Sequence, residues 1–69
     1  MDKQTIMRDL SHHTGSNFAT FNQIKKFMGM GTEKTAELVK GLEYFRDGKS
    51  HRYACRDVAG AIMSKVENH

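Results

Sequence analysis

Cysteine is nearly absent from this sequence: Cys55 is the only one among 69 residues. A lone cysteine cannot form an internal disulfide, and small extracellular domains usually need several such bridges to stay folded. The shortage therefore predicts a protein of the reducing cytoplasm.

Long apolar runs are missing as well. No segment approaches the roughly 18 apolar residues of a membrane-spanning helix, and the first residues lack the apolar centre of a signal peptide. We expect a soluble chain that has no membrane partner and stays in the compartment where it is made.

Catalytic and metal-binding motifs are also missing. The sequence contains no GxSxG, P-loop, HExxH or CxxC motif. His12 and His13 are neighbours whose side chains would point in different directions, and neither Cys55 nor His51 stands at a zinc-motif spacing from them. We expect solvated loop histidines, no metal, no cofactor and no enzymatic activity.

The composition that remains is that of one small globular domain. Hydrophobic residues make up 38% and charged residues 28%, enough for a modest core but not for a deep active-site pocket. The formal net charge is +3 and the isoelectric point is near 9.3. That balance suits a polyanionic partner, although it is common in small proteins.

The first 19 residues are predicted to form an N-terminal helix and linker, and residues 20–69 a second part of the same globular unit. Ile6, Met7 and Leu10 have helical spacing, and Asp2 can cap the helix. The polar run from Ser11 to Asn17 predicts the linker. We expect the helix to dock on the core through Ile6 and Leu10.

Two short helices are predicted next, joined by a glycine turn. Thr20 can cap a helix from Phe21 to about Met28, and the triplet 29–31 contains two glycines that permit a sharp turn. Thr32 can cap a second helix that ends near Gly41, in which Ala36 and Val39, with Leu42 as a further candidate, form the buried stripe. The pattern fits a helix-turn-helix.

A hairpin and a closing helix follow. Runs 43–46 and 51–54 are β-prone around Asp47-Gly48-Lys49-Ser50, where Gly48 supplies the bend. Tyr44 or Phe45 should turn inward, with Tyr53 across the pair. A last helix is expected from Arg56 or Asp57 through Lys65, with a buried stripe of Val58, Ala59, Ile62 and Val66.

Cations concentrate at this hairpin. Arg46, Lys49, Arg52 and Arg56 fall within eleven residues, with His51 among them and one acidic residue opposing them. A basic cluster beside a tight turn is typical of a phosphate-contacting element. The alternative is a solvated hairpin whose charge serves solubility.

From Phe21 to Ile62 the chain resembles a known family. The run contains F-M-G, then T-E-K-T, G-L before an aromatic strand, F-R-D-G-K, and later R-Y and R-D-V. This order resembles the winged helix-turn-helix domain shared by excisionases of mobile elements and the DNA-binding head of MerR-type regulators. The resemblance implies an α+β fold, mainly α, with a two-stranded hairpin and, in this chain, an additional N-terminal helix.

The resemblance also implies a binding surface. In that family the second helix enters the major groove and the wing contacts the backbone or minor groove. There are two departures from the family: Glu37 and Leu38 follow the Thr-Ala pair of the second helix in place of arginine, and Glu43 replaces the usual proline after the G-L pair. Glu37 can accept a hydrogen bond from cytosine N4. Leu38 is expected to pack under the N-terminal helix, to touch a thymine methyl or to join a protein interface, packing being preferred. The predicted DNA-binding residues are Thr32, Lys34, Thr35, Glu37, Lys40, Lys25, Lys26, Arg46, Lys49 and Arg52.

The functional expectation is sequence-selective binding of double-stranded DNA by an excisionase-like accessory or small transcriptional regulator of a mobile element or phage. An integrase is a candidate protein partner, and copies bound side by side would bend the DNA. The competing hypothesis is a protein-interaction module that keeps the fold without reading DNA. It is motivated by Glu33, Glu37 and Leu38 on the expected recognition surface.

Overall fold

The computed structural model describes residues 2–66, which form a small α+β fold. Met1 and residues 67–69, at the ends of the two predicted parts, lie outside the described residues. Within residues 2–66 no helix is long and apolar enough to cross a bilayer. The elements are α1 (Lys3–Thr14), β1 (Phe18–Thr20), α2 (Phe21–Met28), α3 (Thr32–Val39), β2 (Phe45–Asp47), β3 (Ser50–Ala54) and α4 (Cys55–Lys65).

The three strands of the described chain form one antiparallel sheet in the order β1-β3-β2. The central strand β3 pairs with β2, as the predicted hairpin requires, and also with β1. The expectation of a two-stranded hairpin is therefore incomplete, because β1 adds a third strand. Three residues are too few to show a strand period in the sequence, so β1 left no pattern to recognise.

α1 is longer than predicted and packs mainly against α4. It runs through Thr14 and ends at Gly15, whose φ of 71° is the left-handed conformation of a helix C-cap. The predicted linker from Ser11 to Asn17 is therefore wrong over its first four residues. The predicted cap is confirmed: Asp2 Oδ1 accepts a hydrogen bond from the backbone N–H of Thr5 at 2.7 Å, and this bond lowers the pKa of Asp2.

One core holds all four helices of the described chain against one face of the sheet. Ile6 and Leu10 of α1 are buried in it, as predicted, and the division proposed after residue 19 falls inside β1. The other core side chains come from every described element except β2. They are Ala19, Ile24, Leu38, Val39, Tyr53, Cys55, Val58, Ala59 and Ile62.

α4 closes this core and ends at Lys65 as predicted, but it begins earlier than predicted. It begins at Cys55, where the backbone N–H donates to the carbonyl of Asn17 at 2.8 Å. It ends at Lys65, so Val66 has extended backbone and is 36% exposed. The prediction that Val66 belongs to the buried stripe is wrong, because a helical period no longer applies beyond the last turn.

Leu10 tests how much α1 contributes to this fold. Leu10→Ala should lower the free energy of unfolding by about 2–5 kcal/mol, because it removes a large fully buried side chain. The measurement is urea denaturation followed by circular dichroism. Arg8→Ala, on the exposed side of the same helix, should change stability by no more than about 0.5 kcal/mol. Equal stability of the two variants would show that α1 docks without stabilising the core.

Candidate nucleic-acid interface

A glycine corner fixes α3 relative to α2. α2 begins at a capping box in which the Thr20 hydroxyl accepts from the Gln23 N–H at 3.2 Å and the Gln23 side chain accepts from the Thr20 N–H at 2.9 Å. α2 ends at Gly29, whose φ of 64° is left-handed. The predicted cap and turn are both confirmed. Met30 is half-buried against the core between the two helices.

α3 begins without the expected cap. Gly31 is the N-cap residue, and no side chain hydrogen-bonds to the first turn. Thr32, predicted to cap, is instead the first helical residue and is exposed. Glycine is accepted at an N-cap because the position needs extended backbone rather than a side chain. The Thr32 hydroxyl is therefore presented at the surface.

The buried side of α3 consists of Thr35, Leu38 and Val39. Two predictions are therefore wrong: Thr35 is fully buried instead of facing a ligand, and Ala36 is exposed instead of packing inside. Thr35 fits in the core because its hydroxyl donates to the carbonyl of Gly31 at 2.9 Å, which satisfies the polar atom. Leu38 is buried, as its preferred role requires, but α3 packs chiefly against α2 and α4 rather than under the N-terminal helix α1.

The exposed side of α3 carries balanced charge. Glu33, Lys34, Glu37 and Lys40 are all exposed, and none forms an ion pair with another residue of the described chain. With the C-cap residue Lys40 included, the two negative and two positive charges cancel, so this surface provides no net attraction for a polyanion. Such attraction must come from neighbouring elements.

The hairpin turns through a two-residue loop. Asp47 pairs with Ser50, which leaves Gly48 and Lys49 as the loop. Gly48 has a φ of 63° and Lys49 does not have a positive φ, the pattern of a type II′ turn with glycine at its first central position. The predicted role of Gly48 is confirmed. Lys49 is exposed at the tip.

Side chains alternate between the two faces of β3. Tyr53 is buried on the face that packs against the helices, and His51 lies on the same side. Tyr44 turns toward them: its ring stacks on His51 with centroids 4.2 Å apart and lies 5.8 Å from the Tyr53 ring. Phe45 points the other way and is 61% exposed. Of the two aromatics predicted to turn inward, Tyr44 is therefore the one that does.

The hairpin cations are divided between these faces. Arg46 pairs with His51 on the helix-facing side, whereas Arg52 lies on the outer side with its Nε 3.1 Å from Asp47 Oδ2. Arg46 and Lys49 form no ion pair within residues 2–66. They are therefore better placed than Arg52 to attract an external anion.

The two predicted cations of α2 lie in its last turn. Lys26 is exposed and Lys25 is half-buried. Positive charge at this end of a helix also interacts favourably with the helix dipole. The two side chains therefore have a structural reason to be there whether or not they contact a ligand.

An apolar groove separates α3 from α4. Its volume is about 400 Å³, and it opens to solvent beside the exposed face of α3. Most of its lining is aliphatic or thioether carbon. The lining residues are Met28, Met30, Lys34, Glu37, Leu38, Ile62, Lys65 and Val66.

The neighbouring histidines are placed differently from their prediction. His12 and His13 belong to the last turn of α1 rather than to a loop, and the His13 ring lies 5.6 Å from the ring of Phe27. Over the described residues, no three potential metal ligands come together.

Comparison with protein-family models, with curated proteins and with solved structures finds no match to this chain. The case for a function therefore rests on its own residues and their arrangement.

Three exposed side chains were missed by sequence reasoning. Ala36 lies on the outer face of α3, and Phe18 and Phe45 lie on the outer face of the sheet. Ala36 has no signal of its own, since alanine is common on both sides of a helix. Phe45 did have a signal in the sequence. A two-residue loop places it opposite Arg52, which lies on the other face of the strand from Tyr53, so the Phe45 side chain must point away from the core.

Tyr53 gives a pH test of this geometry. Burial, together with the neighbouring Tyr44, raises the pKa of the Tyr53 phenol above its usual 10.0. The unfolded chain then loses this proton first, so the stabilisation is complete below about pH 10 and declines as the pH rises further. Tyr53→Phe should reduce the fall in melting temperature between about pH 9 and pH 11. Tyr44→Phe, a change on a half-exposed ring, should largely keep the fall in melting temperature seen for the wild type. Parallel pH profiles for wild type and Tyr53→Phe would contradict the assignment.

Proposed function

We propose that this chain is a winged helix-turn-helix protein that binds double-stranded DNA and catalyses no reaction. The observation that carries the proposal is the position of α3 in the chain. This helix follows a glycine corner and precedes a cationic hairpin with a two-residue loop, and all of these elements belong to one fold with one core. A helix pair joined by a short turn is the unit that presents its second helix to the major groove. The hairpin β2-β3 then serves as the wing.

The size of α3 supports this docking. Its eight residues at 1.5 Å rise give a length of about 12 Å, close to the major-groove width of about 12 Å. At 3.4 Å per base pair, such a helix spans about three or four base pairs. Side chains from its exposed face therefore suffice for a short recognition site.

Base contacts are assigned to the middle of this exposed face. Ala36 and Glu37 lie there, with Glu33 one turn before and Lys40 one turn after. Glu37 accepts from cytosine N4, and the Ala36 methyl touches a thymine methyl. Thr32 and Lys34 flank these positions. Thr35 has no part in the contact because it is buried.

Phosphate contacts supply the affinity. Arg46 and Lys49 of the wing and Lys25 and Lys26 of α2 provide positive charge that α3 lacks. Arg52 contributes less, because Asp47 already neutralises part of its charge. Such contacts fix the orientation of a protein on the duplex, while the few base contacts select the sequence.

The biological role follows from the resemblance to excisionases and MerR-type regulators. An accessory factor of this size acts as a small DNA-binding regulator or as a partner of an integrase in recombination of a mobile element or phage. Several copies bound side by side would bend the DNA, since each wing draws the backbone toward its own cations. Its place of action is the cytoplasm.

Salt dependence tests the phosphate contacts. Four to six contacts predict that log K falls with log salt with a slope of about −3.6 to −5.4, or 0.9 per contact. Arg46→Ala and Lys49→Ala should each flatten the slope by about 0.9, and Arg52→Ala by less. The measurement is fluorescence anisotropy of a labelled mixed-sequence duplex between about 50 and 200 mM salt.

A matched control separates contact from net charge. Arg8→Ala on α1 removes the same unit of charge from another exposed position and should leave the slope unchanged. A slope near zero for the wild-type protein, or equal effects of Arg8→Ala and Lys49→Ala, would refute the wing as the phosphate anchor.

Glu37→Gln tests base reading. A carboxylate accepts from cytosine, whereas a glutamine amide makes paired hydrogen bonds with adenine, and each good pairing discriminates by about 1–3 kcal/mol. Selection on random duplexes should therefore show one position changing its preference from cytosine to adenine. Glu33→Gln is the control on the preceding turn. An unchanged selected sequence for Glu37→Gln would remove this residue from the base contacts.

The second candidate function is a protein-interaction module on the same scaffold. It is favoured by the apolar groove between α3 and α4, together with the absence of a net charge on the exposed α3 surface when Lys40 is included. A partner helix could place apolar residues in this groove. Absence of salt-dependent duplex binding in the titration above would favour this candidate over DNA binding.

A further inference from the structure

The outer face of the sheet exposes two phenylalanines. Phe18 of β1 is 43% exposed and Phe45 of β2 is 61% exposed, whereas the opposite face is closed by the buried residues Ala19 and Tyr53. Exposed apolar patches on a protein surface mark interaction sites or aggregation liabilities. Two of them on the same face of three short strands therefore call for a ligand.

An arginine accompanies each phenylalanine. Arg52 stands directly opposite Phe45 in the strand register, and Arg56 lines the same shallow groove as Phe18 and Ala54. Asp47 receives the Nε hydrogen bond of Arg52 at 3.1 Å. This bond holds the guanidinium on the outer face, which Phe45 shares, and the terminal nitrogens of Arg52 make no hydrogen bond within residues 2–66.

The dimensions of this face argue against a second copy of the chain as its occupant. Three strands of three to five residues give a face on the order of 200 Å², far below the roughly 800 Å² per partner of a stable interface.

A ligand that combines flat apolar rings with negative charge matches both features. Bases stack on exposed aromatic rings irrespective of sequence, and arginines beside them neutralise phosphates. Phe18 and Phe45 are about 12 Å apart at their Cα atoms, from two strand spacings and a two-residue offset. Adjacent stacked bases are 3.4 Å apart, so the two rings take unpaired bases from separate positions of an extended strand.

We propose that the outer face of the sheet binds single-stranded nucleic acid, with unpaired bases stacked on Phe18 and Phe45. Phosphates are contacted by the terminal guanidinium nitrogens of Arg52 and Arg56, whose Nε atoms lie 3.1 Å from Asp47 and 3.8 Å from Asp57. This site shares the hairpin, and Arg52 with it, with the proposed duplex-binding surface, but it lies on the face of the sheet opposite the helices, whereas α3 packs against α2 and α4. It goes beyond duplex binding: the chain can hold an unpaired strand while α3 occupies a duplex.

The chain contains no tryptophan, so a single introduced indole reports stacking directly. Phe45→Trp and Phe18→Trp are titrated with a short oligothymidylate, and base stacking should quench the fluorescence of each. Tyr44→Trp is the matched control, since Tyr44 neighbours Phe45 with comparable exposure of 51% but faces His51 on the other side. Its fluorescence should not change.

Substitution by leucine separates stacking from general apolar contact. Phe45→Leu keeps an apolar side chain on an exposed position and should weaken oligothymidylate binding about 5- to 150-fold, the loss expected for one stacked base. Binding of a duplex should be unaffected by Phe45→Leu. Conversely, Arg46→Ala with Lys49→Ala should weaken duplex binding and leave the quenching intact, so either proposal can fail alone.

Three results would overturn the proposal. Undisturbed fluorescence of both tryptophan variants in oligothymidylate would show that no base reaches the sheet. Equal affinity of wild type and Phe45→Leu would exclude stacking. Quenching that depends on protein concentration without any oligonucleotide would assign the face to a second copy of the chain.

Discussion

The alternation of side chains along β3 is the constraint on which both proposed binding surfaces depend, the duplex-binding surface and the outer face of the sheet. Tyr53 is buried against the helices, and a strand has only two faces, so Arg52 must point away from them. The two-residue loop then fixes the partner of Arg52 as Phe45. A shift of register by one residue would bury a guanidinium and expose Tyr53. The core therefore dictates which cation faces which side of the hairpin.

Thr35 plays the corresponding part in α3. Its burial, with the hydroxyl bonded to the Gly31 carbonyl, rotates the helix so that Ala36 and Glu37 face outward. A hydroxyl inside the core is tolerated because the backbone carbonyl one turn earlier accepts its hydrogen bond. The same bond ties the first turn of α3 to the glycine corner, where no side chain caps the helix. The orientation of the exposed face thus depends on a residue that cannot touch a ligand.

The sequence predicted the elements whose signals are local. The cap at Thr20, the turn at Gly29 and the bend at Gly48 each need one residue type at one position, and each is confirmed. The rotation of α3 was not predictable in this way, because Ala36 with Val39 and Thr35 with Val39 are both acceptable helical pairs. β1 was missed because three residues gain strand structure only by pairing with β3. Which proposed contacts bind a ligand stays a prediction.

The exposed face of α3 and the hairpin differ in charge, and they would therefore contribute differently to binding. α3 is electrically balanced, so its contribution to any duplex contact is selection by hydrogen bonds and methyl groups rather than attraction. The unpaired cations Arg46 and Lys49 of the described chain lie on the hairpin, and their interaction with phosphates weakens as salt rises. Arg52 cannot add fully to that attraction, because its bond to Asp47 orients it over the outer face of the sheet. The ion pair that reduces its attraction for a duplex also holds its side chain on the outer face of the sheet, which Phe45 shares.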